Sequence, residues 1–352
     1  MVVWFSLVAY IMFIKLCMGP LTNDKSKKWF LILAGVAVFL VMGLRGDNYQ
    51  NVYDLRVYKD FYESIGRTEW GQIYEVTEFE YGYTLLNKIL YTLFPFSQFI
   101  ILFSSFFCVF SVCRFIYLNS ENVFFSFLFY VTLGSMGFML TGLRQAIAIC
   151  ICLYGVEFAK KEKIFKFLFT VILAITMHRT AFFFLPFYFI VNNKYIKKRR
   201  GFIIVIVVAL IIFAPALLAF GKSITQGELQ AAEEALFTMN GIVPILLYVI
   251  GLIAQYCLYY KDEKNDNTAV ISIMLSLGLG LYFLRFYNMA LERFSYYYTQ
   301  SSYICLTNIF GFIKKGESRT IAKILAVVLA LILFARRLQT ADYANYVFFW
   351  NS

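Results

Sequence analysis

The sequence predicts an all-α polytopic membrane protein, with about 12 transmembrane helices and one further interfacial or re-entrant helix. Three observations carry that prediction. Of the 352 residues, 61% are hydrophobic and only 15% are charged, against about a quarter charged in a soluble domain. The apolar residues fall in runs of roughly 17–22, the length that crosses a hydrocarbon core as a helix. The basic residues behind the net charge of +11 sit in short loops between those runs, where they report membrane topology and not nucleic-acid binding.

The first run, 2–18, has no basic residue before it and no small-residue cleavage site. It reads as a retained helix and not as a cleaved signal peptide. Further runs follow at 28–44, 97–118, 123–141, 143–159, 164–178, 180–192, 201–220, 242–260, 268–286, 293–313 and 320–337. Between the second and third, Leu85, Leu86, Ile89, Leu90, Leu93 and Phe94 flank Asn87 and Lys88 in a stretch closed by Pro95. That stretch is too short to span, and it reads as an amphipathic or re-entrant helix at the interface. The chain 1–352 is thus expected to form a single integral membrane domain with external loops 45–96 and 221–241.

Orientation comes from the loops. Basic segments at 23–28, 160–163, 192–200, 261–265 and 314–319 alternate with acidic or weakly charged ones. Placing the basic set in the cytoplasm satisfies the positive-inside rule and puts both termini outside. The long external segment 45–82 then carries eight carboxylates against four basic side chains, a length and composition expected of a functional or disordered loop.

Lysine and arginine divide unequally across this topology. All lysines except Lys59, Lys88 and Lys222 fall on the cytoplasmic side, whereas all arginines except Arg114, Arg199, Arg200 and Arg319 fall outside or at outer helix ends. Arginine suits a site that grips phosphate or carboxylate through a planar fork and keeps its charge when partly desolvated. The run from Arg144 down to Lys160 and the run from Lys163 back up to His178 and Arg179 form two arms of similar length. At about 1.5 Å per residue, Arg144, His178 and Arg179 should return to the same height near the outer surface. Arg45, Arg285 and Arg293 also sit at outer helix ends, as do Arg336 and Arg337. Ionisable residues at such depth are functional candidates, here for an anionic, membrane-proximal ligand such as a lipid pyrophosphate.

His178 is the only histidine, and imidazole titrates near neutral pH. With one histidine and seven dispersed cysteines, no zinc site is expected. The acidic loop leaves room for a carboxylate-bound Mg2+, although no Asp-x-Asp spacing points to one, and no phosphate-binding glycine loop, G-x-S-x-G or dinucleotide fingerprint occurs. Aromatic residues make up 20% of the chain. Most fit interfacial belts, while the external set, Tyr49 and Tyr83 among it, would also suit a sugar-binding groove.

The segments R-G-D-N-Y-x-x-V-Y (45–53), E-x-G-Y-x-L-L-N (80–87), G-L-R-Q-A-I-A (142–148) and M-H-R-T-A (177–181) together resemble the EpsG family. These are Wzy-like polymerases of bacterial exopolysaccharide, capsule and O-antigen. The aromatic tail at 343–350 is similar to the family's as well. The resemblance implies a fold related to the multispanning GT-C glycosyltransferases that use lipid-linked donors. It implies polymerisation of undecaprenyl-pyrophosphate-linked oligosaccharide repeat units at the outer face of the bacterial cytoplasmic membrane, with no cofactor. A flippase and a chain-length regulator are the protein partners it implies, and membrane lipids surround the chain. Its motif residues fall on Arg45, Asp47, Tyr49, Glu80, Tyr83, Arg144, Gln145 and His178. Arg179 departs from the small residue, often serine, that usually follows the histidine.

The chemistry expected is metal-independent glycosyl transfer with inversion. Arg144 would hold the pyrophosphate, supported by Arg45, Arg179, Arg285 or Arg293. His178, or else Glu80 or Asp47, would accept the proton of the acceptor hydroxyl. A ligase using the same donor, a flippase for lipid-linked sugars and a membrane acyltransferase are the alternatives. The flippase is disfavoured because the mid-span segments are nearly free of charge, and the acyltransferase because no acyl-donor site is apparent.

Overall fold

The structure is a computed structural model that describes residues 1–47, 53–194, 196, 239–261, 266–286, 289–340 and 345–351. The expected span 201–220, most of the external loop 221–241 and Tyr49 lie outside the described residues. Among the described residues the chain is all-helical, with no strand beyond one isolated bridge between Arg45 and Phe348. The residues divide into two compact units. Met1–Gly155, Leu168–Phe182 and Ile324–Ser352 form the first, and Val156–Phe167 with Phe183–Lys323 form the second.

The first unit starts with α1 (Val2–Met18) and α2 (Asp24–Gly43). Asn23 caps α2 by accepting the Ser26 N–H at 2.7 Å, which satisfies one of the orphan donors of a helix start. α5 (Gln98–Asn119) packs along α2. Glycine permits the close approach, since a Cβ at Gly35 would sit 3.1 Å from the Cys113 sulfur and one at Gly43 would sit 3.0 Å from Leu102. Phe30, Leu31, Ala34 and Val38 of α2 are buried, while Trp29, Ile32, Leu33, Val36 and Leu40 are exposed. α15 (Glu317–Thr340) likewise exposes Ile321, Ile324, Leu325, Val328, Leu329 and Ile332. Helices apolar on both faces, with one face turned outward, are what a bilayer-facing helix requires and water does not tolerate.

The segment expected as a long external loop contains helical structure. Residues 53–67 form α3 (Tyr53–Arg67), and α4 (Tyr81–Leu93) packs against it. Leu55, Tyr58, Tyr62 and Ile65 recur at helical spacing and are buried. Lys88 of α4 donates to the carbonyls of Gly66 at 2.8 Å and Thr68 at 2.5 Å, so a cation closes the C-terminal end of α3. α4 buries Tyr83, Thr84, Asn87, Lys88 and Leu90 and exposes Tyr81, Leu85, Ile89 and Leu93. It is amphipathic, as its sequence predicts.

α6 (Val123–Thr132) and α7 (Ser135–Thr141) are bent by 51° at Gly134, whose φ of +110° favours glycine. α8 (Leu143–Lys160) and α9 (Ile164–Met177) follow, joined by a turn in which Glu162 takes φ +54°. In the second unit, α10 (Pro186–Val191) precedes α11 (Met239–Lys261), α12 (Asp266–Tyr282), α13 (Tyr296–Thr299) and α14 (Ser302–Cys305). Gly251 brings α11 within reach of Leu275 and Cys305, and Gly278 brings α12 to 3.1 Å from the Thr299 nitrogen, distances measured to an added Cβ.

By length and composition three described helices can cross a membrane: Asp24–Gly43, Gln98–Asn119 and Asn267–Arg285. The bent pair α6–α7 makes a fourth. Val2–Met18, Ile164–Met177, Arg179–Val191 and Gly241–Gln255 are apolar but shorter. This count covers only the described residues, which leave out the expected span 201–220; two other expected spans fail it for identifiable reasons. The apolar run 293–313 folds as successive short α and 3-10 segments, and α8 carries Arg144, Glu157 and Lys160 within its 18 residues.

Candidate active site

Glu80 stands at the N-cap of α4 with extended backbone angles, yet its carboxylate makes no cap hydrogen bond to its own helix. It reaches across to α8 and to the end of α9 instead. Glu80 Oε2 accepts from Arg144 Nη1 at 2.5 Å. Glu80 Oε1 lies 3.1 Å from His178 Nδ1 and accepts the backbone N–H of Arg179 at 3.1 Å. The Arg179 Nε is 3.7 Å from the same oxygen.

Local sequence explains each position. Arg144 is the second residue of α8, so its guanidinium starts at the N-terminal end of that helix. α9 ends at Met177, and the backbone tightens into a 3-10 turn over Arg179–Phe184. The first N–H groups of such a turn have no partner within it, and Glu80 supplies one from another helix. Gly82 makes this reach possible. A Cβ there would lie 2.8 Å from the Thr176 carbonyl oxygen, so any larger residue would force α4 away from α9.

An aromatic floor supports the cluster. The Arg144 guanidinium stacks over the Phe79 ring, 4.0 Å from its centroid. Phe79 packs in turn on Phe61, at 4.4 Å between centroids, and on Tyr58 and Tyr83. With this backing the planar fork is held in place, and Arg144 still keeps its side chain 20% exposed.

The electrostatics are unusual for a carboxylate that is only 9% exposed. Burial, the largest influence, pushes the Glu80 pKa upward. The His178 hydrogen bond, the Arg144 charge, the charge interaction with His178 and the Arg179 N–H together outweigh burial and hold the pKa at about 2. Glu80 is therefore an anion at any pH near neutrality and a poor proton acceptor. One carboxylate facing two guanidinium groups leaves the cluster with surplus positive charge, and Arg179, 44% exposed, presents part of it outward.

The remaining expected residues have surroundings of their own. Asp47 pairs with Lys59 at 2.8 Å. Tyr83 is fully buried in the aromatic floor, and Gln145 is buried next to Arg144 in sequence. Arg45 is buried and donates to the carbonyls of Met42 and Leu140 and to Ser105 Oγ. In the second unit Arg285 pairs with Glu292, whose other oxygen accepts the Tyr296 hydroxyl. Arg293 is exposed beside them. Sequence reasoning missed Phe79 and Glu292, and it had Gly82 only as a position of the E-x-G-Y motif. Glu292 carries a readable signal as the only carboxylate between Asp266 and Glu317. Among the described residues no three His, Cys, Asp or Glu side chains converge as metal ligands.

Compared with models of known families, residues 3–350 match the EpsG family. The chain belongs to the EpsG family. No curated protein and no solved structure matches it. Membership points to a membrane protein of polysaccharide biosynthesis with a polymerase role, a glycosyltransferase in the broad sense. In this EpsG-family chain the segments at 80–87, 142–148 and 177–181 are far apart in sequence, and their polar residues meet at Glu80.

Proposed function

We propose that this protein joins undecaprenyl-pyrophosphate-linked oligosaccharide repeat units into a bacterial surface polysaccharide at the outer face of the cytoplasmic membrane. The observation that carries the reading is the single carboxylate of Glu80 engaging Arg144, His178 and Arg179 together. The twelve-span topology and the kinship to GT-C glycosyltransferases belong to the same proposal. So do cooperation with a flippase that delivers the repeat unit and a regulator that sets chain length.

In the mechanism, the acceptor hydroxyl oxygen attacks the anomeric carbon of the donor sugar from the side opposite the pyrophosphate. The bond from that carbon to the pyrophosphate oxygen breaks, and its electrons leave with the lipid pyrophosphate. Inversion follows. Glu80 bound at Nδ1 fixes the imidazole tautomer, so that Nε2 of His178 takes the hydroxyl proton, the division of labour seen in carboxylate–histidine pairs generally. Its low pKa argues against Glu80 as the base, and its ion pair with Lys59 argues against Asp47. Arg144 and Arg179 stabilise the charge developing on the pyrophosphate, a role in which preorganised donors commonly contribute most. With guanidinium groups as counter-charge, the transfer is metal-independent.

Incubating purified protein with a synthetic lipid-pyrophosphate repeat unit, with and without EDTA, tests this on a gel. A product ladder that survives EDTA is expected. A ladder lost with EDTA would overturn the arginine-only account. No ladder with a matched repeat unit would shift the reading to a ligase or a flippase.

A further inference from the structure

Arg45 presents a problem that the polymerase chemistry does not solve. It is 5% exposed, and its hydrogen-bond partners, two carbonyls and one hydroxyl, are all neutral. Its Nε has no partner. Among the described residues no carboxylate pairs with it. Burial lowers its pKa to about 10, so it is a cation at neutral pH. Buried charges are normally paired or bound to a counter-ion, because neutral dipoles alone replace hydration poorly.

Arg45 also lines a cavity of about 20 Å³ together with Trp4, Leu55, Leu140 and the C-terminal residues Tyr346 and Val347. The cavity is closed on one side by that tail. Gly46 N–H donates to Val347 O at 2.8 Å, Phe349 N–H to Leu44 O at 3.0 Å, and the Tyr346 hydroxyl to Val41 O at 3.0 Å. A space of this size holds one water-sized occupant. A pyrophosphate does not fit. A water would satisfy Nε but, among the described residues, leave the charge without a counter-ion.

We propose that the Arg45 cavity binds one small monovalent anion of chloride size, which neutralises Arg45 and locks the C-terminal tail onto the outer end of α2. The ion links the ends of α2 and α7 to the tail, so its effect is on stability and not on the transfer step.

The test uses purified full-length protein in detergent at constant ionic strength, with chloride replaced stepwise by gluconate. Thermal unfolding should show a saturable rise in midpoint with chloride, roughly 5 °C at a hundredfold excess over Kd, with bromide substituting and sulfate inert. Broadening of the 35Cl resonance by wild-type protein, reversed by bromide, should report the same site without any variant. Arg45→Gln should remove the chloride dependence. If that variant does not fold, Leu55→Phe, which fills the cavity and leaves Arg45 in place, should weaken binding at least tenfold. An equal effect of sulfate would overturn the size argument. A midpoint indifferent to chloride would mean a water-filled cavity, and dependence retained in Arg45→Gln would place the ion elsewhere; either result overturns the proposal.

Discussion

Replacing Glu80 by Gln should reduce polymerisation by about 1,000- to 10,000-fold, the scale of losing the carboxylate behind a catalytic imidazole, while the protein still folds. The amide has nearly the same shape, so packing between α4 and α9 at Gly82 is retained. What changes is charge. A neutral partner holds neither the Arg144 fork at Oε2 nor the imidazole tautomer at Oε1. Glu80→Asp keeps the charge but is one methylene shorter, and cannot serve α8 and α9 together, so it should be intermediate. Rates of first-linkage formation with purified variants, alongside thermal unfolding, make the measurement. Near-full activity of Glu80→Gln would remove Glu80 from the catalytic machinery.

Arg144→Lys should lower the rate by about 100- to 1,000-fold, the typical loss for one preorganised donor to a developing oxyanion. The charge is preserved in this variant. An ammonium is a point donor, however, and cannot hold Glu80 with one arm, lie flat on Phe79 and offer a second arm to phosphate. The loss should appear in kcat more than in KM, because the charge on the leaving pyrophosphate grows toward the transition state. A Lys variant at wild-type rate would show that only net charge matters at this position.

Much of the site is legible in the sequence, and for a physical reason. Helix rise fixes how far each arm of α8–α9 travels, so Arg144, His178 and Arg179 had to return to one level. The role of the carboxylate that unites them is harder to read. Glu80 is one of eight acids in the segment 45–82; the E-x-G-Y motif makes it a candidate, but its partners emerge only when α4 is set against α8 and α9. The same segment shows where charge misled. Its acidity suggested a loop, yet Leu55, Tyr58, Tyr62 and Ile65 carry the helical period of α3. Arg45 is less legible. Its place just past the end of α2 makes it a ligand-binding candidate, but nothing in the sequence shows that its guanidinium turns inward to the carbonyls of Met42 and Leu140. Hydropathy alone cannot distinguish an inward arginine from an outward one. Nor can it see that the apolar run 293–313 breaks into short segments, because the break lies in backbone geometry and not in composition.

The most direct measurement is a double-mutant cycle on the rate of first-linkage formation, using Glu80→Gln, His178→Gln and the double variant. If one carboxylate orients the base, the two losses share a cause. The combined loss should then fall at least about tenfold short of the product of the single losses. A combined loss equal to that product would mean that Glu80 and His178 act independently, and would contradict the account.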